Sequence, residues 1–118
     1  MRRALCRKKK GGSEMELPVL SSTANPAVRA MRALEDGKAR RETGCMRLEG
    51  RKLCAEAARE LEVTALFVRE GRAELYADLI AACGAKGARA WAVSDRVLEY
   101  VCAAKTPQDV VLSARIPR

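Results

Sequence analysis

Between residues 29 and 52 the sequence places eight basic and four acidic side chains, a local charge of +4. Arg29 and Arg32 stand three apart, Lys38, Arg40 and Arg41 follow, and Arg51 and Lys52 come directly after Gly50. A guanidinium presents forked donors that match two oxygens of a phosphate, and an ammonium adds a compact point charge. The chemistry this pattern offers is contact with the backbone of a polyanion such as RNA or DNA. The same residues also make an ordinary solvated face with local ion pairs, Arg32 with Asp36 for example. Composition alone supports the two readings equally.

Other chemistries find little material. There is no histidine, which removes imidazole acid–base catalysis, Ser–His and Cys–His nucleophile pairs, and imidazole zinc sites. Gly84 and Gly87 stand at a predicted helix stop, so no Gly-rich turn of the dinucleotide or phosphate-loop type occurs. No serine lies in a nucleophile-elbow pattern, and Glu35 with Asp36 read as the end of an exposed helix. The four aromatics, Phe67, Tyr76, Trp91 and Tyr100, are too few for a sheet that stacks successive bases. Cys6, Cys45, Cys54, Cys83 and Cys102 are widely spaced, with no Cys-x-x-Cys pair. Cys54, Cys83 and Cys102 fall on apolar helical positions and read as small buried hydrophobes in a reducing, cytoplasmic setting. Neither catalysis nor a metal or cofactor site is expected of this chain.

The elements that must position the basic side chains fit one domain: 118 residues, 48% apolar and 32% charged. That length can build a core without metals or disulfides, and no apolar run approaches the ~20 residues needed to span a bilayer. The net charge of +8 is uneven, with +5 in residues 1–14, −1 in residues 15–28 and zero over residues 53–118. Residues 1–14 read as a basic leader ending in a Gly11-Gly12-Ser13 joint, with Met15 as an alternative start. An upstream extension and a basic RNA-contacting arm are equally good accounts of it. The domain proper is expected over residues 15–118.

Asn25 before Pro26 predicts a helix start, since the Asn side chain caps free N–H groups and Pro suits the first turn. Val28, Met31 and Leu34 follow at helical spacing, and Gly37 is expected to end that helix, leaving Lys38 to Gly44 as a polar loop. Cys45 to Glu49 predicts a strand closed by Gly50. A second helix then runs to about Glu62, burying Leu53, Cys54, Ala57, Ala58 and Leu61. Val63 to Val68 reads as a buried strand. A third helix covers about Ala73 to Cys83, burying Leu75, Tyr76, Leu79, Ile80 and Cys83. Ala88 to Val93 gives a third strand, and Ser94 caps a fourth helix through Val97, Leu98, Val101 and Cys102. Thr106 to Gln108 turn the chain into a last strand, Val110 to Ile116. Strands separated by helices predict an α/β fold, a three-layer α/β/α sandwich around a four-stranded mixed sheet.

Ser22, Asn25, Pro26, Val28, Arg29, Leu34, Lys38, Arg40 or Arg41, Glu49 and Gly50, in that order, resemble the opening of the SpoU/TrmH family of RNA 2′-O-ribose methyltransferases. Thr106, Pro107, Gln108 and Val110 resemble the family's Thr-Pro-Gln-Gly-aliphatic turn; Asp109 replaces the Gly and Arg29 the commoner Lys. The resemblance covers about residues 20–116 and only the amino-terminal substrate-binding domain of that family. It implies the kink-turn-binding ribosomal protein fold and structured RNA, rRNA or tRNA, as partner. It also implies a parent enzyme whose knotted SPOUT domain, absent here, binds S-adenosylmethionine, dimerises and transfers the methyl group. On this reading the RNA contacts are Asn25, Arg29, Lys38, Arg40, Arg41, Arg51, Lys52, Thr106 and Gln108. Glu49 and Gly50 shape a turn whose N–H groups can meet a phosphate. For Asn25 the helix cap is the favoured reading over RNA contact, and Thr106 and Gln108 serve at least as well as turn stabilisers. The alternatives are a stand-alone RNA-binding protein of the same ribosomal fold, and a protein-interaction module solubilised by its basic groups.

Overall fold

The computed structural model describes residues 17–103 and 106–117; the basic leader and Cys6 lie outside them. Five strands, β1 (Val19–Leu20), β2 (Cys45–Glu49), β3 (Val63–Arg69), β4 (Arg89–Val93) and β5 (Val110–Arg115), form one mixed sheet in the order β1-β4-β3-β5-β2. β1, β4 and β3 pair in parallel, whereas β5 runs antiparallel to both β3 and β2. The helices are α1 (Pro26–Ala33), α2 (Gly37–Thr43), α3 (Arg51–Glu60), α4 (Ala77–Ala85, preceded by a 3-10 turn at Ala73–Tyr76) and α5 (Asp95–Val101).

Side-chain alternation along the strands feeds two separate cores. Leu66, Val68, Val110 and Leu112 point to one face, where Cys54 and Ala57 of α3 and Leu79, Ile80 and Cys83 of α4 cover them. Phe67, Val93 and Val111 point to the other face, covered by Val28 and Met31 of α1 and Val97, Leu98 and Val101 of α5. Two helices per face around a central sheet make the expected three layers. The sheet has five strands, not four. β1 is only two residues long, too short to show alternation, and it exists because Pro18 and Leu20 carbonyls accept from Ala92 and Ser94 N–H at 2.9 and 3.2 Å.

Asn25 caps α1 as expected, its Oδ1 accepting from Ala27 N–H at 2.8 Å. Gly37 does not end that helix. α1 stops at Ala33, Asp36 turns extended and accepts from Lys38 N–H, and Gly37 opens α2. The stretch read as a polar loop is thus a second helix, and it is Gly44, with φ of 71°, that takes the left-handed stop. In the same way α4 runs past Gly84 to Ala85. Two residues expected in the core, Leu53 and Leu75, are 49% and 59% exposed. Leu53 falls on the outer side of α3, and Leu75 lies in the 3-10 turn, whose tighter winding rotates it off the buried stripe of α4. Cys54, Cys83 and Cys102 are buried as expected.

Candidate nucleic-acid interface

β2 runs antiparallel to β5 and β5 antiparallel to β3, so β1, β2, β3 and β4 all end on the same side of the sheet, where β5 begins. In open α/β sheets, ligands sit outside the carboxyl ends of the strands, where loops and helix N-termini gather. Here that rim collects the Asn25 cap after β1, Glu49-Gly50-Arg51 after β2, Arg69 closing β3, Ser94-Asp95 after β4 and Thr106 to Asp109 before β5.

At Gly50 the rim is closely packed. Its φ of +100° is a conformation L side chains rarely adopt, and a Cβ there would meet the Gln108 side chain at 3.1–3.3 Å. Its N–H donates to the Val110 carbonyl at 3.0 Å, and its carbonyl accepts from Cys54 N–H at 3.0 Å as the first bond of α3. No side chain caps α3 and no acidic residue lies in its first turn. The exposed Arg51 and Lys52 therefore add their charges to the positive end of the helix dipole. Such a corner favours an anion.

Glu49 faces inward. Its Oε2 accepts from Ala103 N–H at 2.8 Å and sits 3.2 Å from Arg47 Nε, tying β2 to the segment after α5. The Arg47 side chain is only 8% exposed and also approaches Glu35 at 3.8 Å. Glu35 is shared with Arg32, which bonds it rather than the expected Asp36 and lies over the Tyr100 ring at 5.4 Å.

The other predicted contacts fall into three places. Asn25 lies on the rim but spends its Oδ1 on its own helix. Arg29 stands exposed on α1, on the opposite face of the sheet from α3. Lys38, Arg40 and Arg41 belong to α2, which leads into the amino end of β2. Five residues of β2 thus separate them from Gly50, about 16 Å at ~3.3 Å per residue. The basic segment is therefore not one corner. Lys38 pairs weakly with Glu42 at 3.9 Å. Arg40 Nη1 donates to the Leu34 and Glu35 carbonyls at 2.8 and 3.0 Å, capping the end of α1 from a distance. Gly50, Arg51 and Gln108 are brought together, with Lys52 in the same helical turn and the exposed Thr106 in the Gln108 loop.

A cluster around Asp109 was not anticipated. Asp109 Oδ1 accepts from Arg69 Nε at 2.7 Å and Oδ2 from Tyr76 O–H at 2.9 Å. Arg69 also donates to Asp95 and, at 3.1 Å, to the Pro107 carbonyl. Burial works to raise the Asp109 carboxyl, but the Arg69 and Tyr76 hydrogen bonds outweigh it and hold it below its usual value. The bond to Asp109, more than the opposing burial, raises Arg69. The departure from Gly at position 109 was the available signal, but its partners are 40 and 33 residues away in sequence.

The buried thiols are chemically quiet. Burial, reinforced by Cys83 and Cys102, pushes Cys54 up to about 12, and burial with nearby Glu49 pushes Cys102 up to about 11. Among the described residues no group of His, Cys, Asp and Glu is placed to hold a metal ion. No helix among them is long and apolar enough to cross a membrane.

Comparison with known proteins bears on the fold and the family. The family model of the MRM3-like substrate binding domain matches residues 25–112. An rRNA methyltransferase from Sinorhizobium meliloti superposes with a TM-score of 0.74 at 26% identity, covering 84% of this chain and 37% of that one. An RNA 2′-O ribose methyltransferase gives 0.68 at 25% identity, covering 85% and 38%. The SpoU methyltransferase AviRb from Streptomyces viridochromogenes, solved with AdoMet, shares the fold at 0.56 and 19% identity, covering 80% of this chain and 36% of AviRb. The chain thus spans little more than a third of the structures it matches. No curated protein sequence matches it. The resemblance seen in the Asn25-Pro26, Glu49-Gly50 and Thr106-Pro107-Gln108 segments holds over most of the chain, which belongs to the MRM3-like substrate-binding domain family.

Proposed function

We propose that this chain is the RNA-gripping domain of an S-adenosylmethionine-dependent RNA 2′-O-ribose methyltransferase acting on rRNA or tRNA, built on the ribosomal fold that binds kinked RNA. The observation that supports the reading is the rim around Gly50, where an uncapped helix N-terminus, Arg51 and Lys52 of its first turn and the Gln108 side chain lie beside one turn. Phosphate oxygens accept from the α3 N–H groups and the two cations, while Gln108 and Thr106 offer polar contacts to sugar or base edges. Lys38 and Arg41 form a second basic patch about 16 Å away, placed to meet a flanking stretch of backbone. S-adenosylmethionine supplies the methyl group in that reaction; this chain's residues bind and orient the RNA.

The reading is tested by titrating the full chain with a fluorescent RNA hairpin carrying a three-nucleotide bulge, over a range of salt. Affinity that falls steeply with salt is expected. Salt-independent binding, or none, contradicts it. In calorimetry the chain alone is expected not to take up S-adenosylmethionine.

A further inference from the structure

A groove of about 260 Å³ runs between α3 and α4, starting at Arg51 beside the Gly50 turn and ending near Arg59. Its floor is made of small or buried side chains, Ala55, Ala58 and Leu79, and one wall is Leu75. Leu75 is 59% exposed although it was expected in the core, and the only acidic side chain in the lining is Asp78. At the rim end the Arg51 guanidinium lies 5.4 Å over the Tyr76 ring. The Tyr76 hydroxyl is anchored on Asp109, so this planar layer is fixed to the rim.

From this geometry we infer that the α3/α4 groove is a subsite for one unstacked nucleotide of the bound RNA. It rests on the RNA reading given above and says where a splayed base goes. Single-stranded bases are held against aromatic rings, guanidinium planes and apolar side chains, and Arg51, Tyr76 and Leu75 supply one of each. Neither Arg51 nor Arg59 has a carboxylate partner among the described residues. They stand eight residues apart on α3, about 12 Å at 1.5 Å per residue. That spacing sets one cation on each side of the base, toward the two flanking phosphates. At about 260 Å³ the groove lies just below the 300–1,000 Å³ typical of drug-sized ligands, room on the scale of a single base.

The test compares two hairpins, one with a three-nucleotide bulge and one with abasic residues in that bulge. Wild-type chain is expected to bind the intact bulge about tenfold more tightly. Leu75→Ala removes an exposed side chain, so its melting temperature should match wild type while the tenfold preference falls toward one and abasic binding is unchanged. Arg59→Ala weakens both hairpins and lowers the salt slope by about one. A 4-thiouridine in the bulge should crosslink within residues 51–59 or 75–82, the two walls of the groove. No preference in the wild type, a preference that survives Leu75→Ala, or crosslinks confined to other segments would overturn the subsite while leaving salt-dependent binding intact. Loss of salt-dependent binding for both hairpins would overturn the RNA reading and the subsite together.

Discussion

The Gln108 side chain lies against Gly50 so closely that a Cβ at position 50 would meet it at 3.1–3.3 Å. The loop before β5 and the turn after β2 are thereby one surface, although 58 residues separate them in sequence. Gly50→Ala should cost about 1–3 kcal/mol in urea unfolding, because the +100° φ is strained for alanine whatever the neighbour does. Adding Gln108→Ala should relieve the contact and recover only part of that loss. Full recovery would place the cost in the contact alone.

Asp109 gives a pH-dependent prediction. Its carboxyl is held below the usual range by Arg69 and Tyr76 against the effect of burial. Its contribution is therefore present above the unfolded pKa of ~3.9 and lost as pH falls below about 4. At pH 7, Asp109→Asn should lower stability by about 1–3 kcal/mol, the scale of a charge-assisted hydrogen bond. The gap between variant and wild type should narrow in melting curves taken progressively below about pH 4. A gap that stays constant across that range would show that the charge on Asp109 is not what holds Arg69.

Arg40 serves the fold. Arg40→Ala removes two hydrogen bonds from the last carbonyls of α1 and should cost about 1–2 kcal/mol in thermal unfolding. Arg41→Ala, one residue along the same helix, should stay within about 0.5 kcal/mol. Equal effects would mean that Arg40 is not a cap.

The thiol pKa values predict slow chemistry. With Cys54 near 12 and Cys102 near 11, neither carries much thiolate at pH 8. Among the described cysteines, the half-buried Cys45 should react first with a disulfide reagent. Cys54, Cys83 and Cys102 should follow only as the protein unfolds in urea. Fast labelling of Cys54 in the native state would contradict its burial.

Much of this fold was legible because local signals and tertiary demands agree. Asn25-Pro26 starts a helix in either view, Ser94 caps α5 through Val97 N–H at 3.2 Å, and Val63 to Val68 has no partner-free face. The misreadings occur where one residue type serves two conformations. Gly37 has the composition of a helix stop, yet Asp36 recruits the next N–H groups and Gly37 begins α2. β1 is set by bonds to β4 more than 70 residues away, which no two-residue pattern can announce. Arg51, Lys52 and Gln108 were readable as polar groups at turns, but their convergence depends on β2 and β5 pairing in register, Glu49 opposite Val111. That same register carries Lys38, Arg40 and Arg41 to the far end of β2, which their closeness in sequence concealed.

Binding of the bulged hairpin at several salt concentrations by two double variants tests the rim most directly. Arg51→Ala/Lys52→Ala should weaken binding at every salt concentration and flatten the log–log salt slope by about two. Lys38→Ala/Arg41→Ala should lower it less. If the rim pair leaves affinity and slope at wild-type values while the α2 pair abolishes binding, the RNA is held at the other end of the sheet and the rim is not the handle.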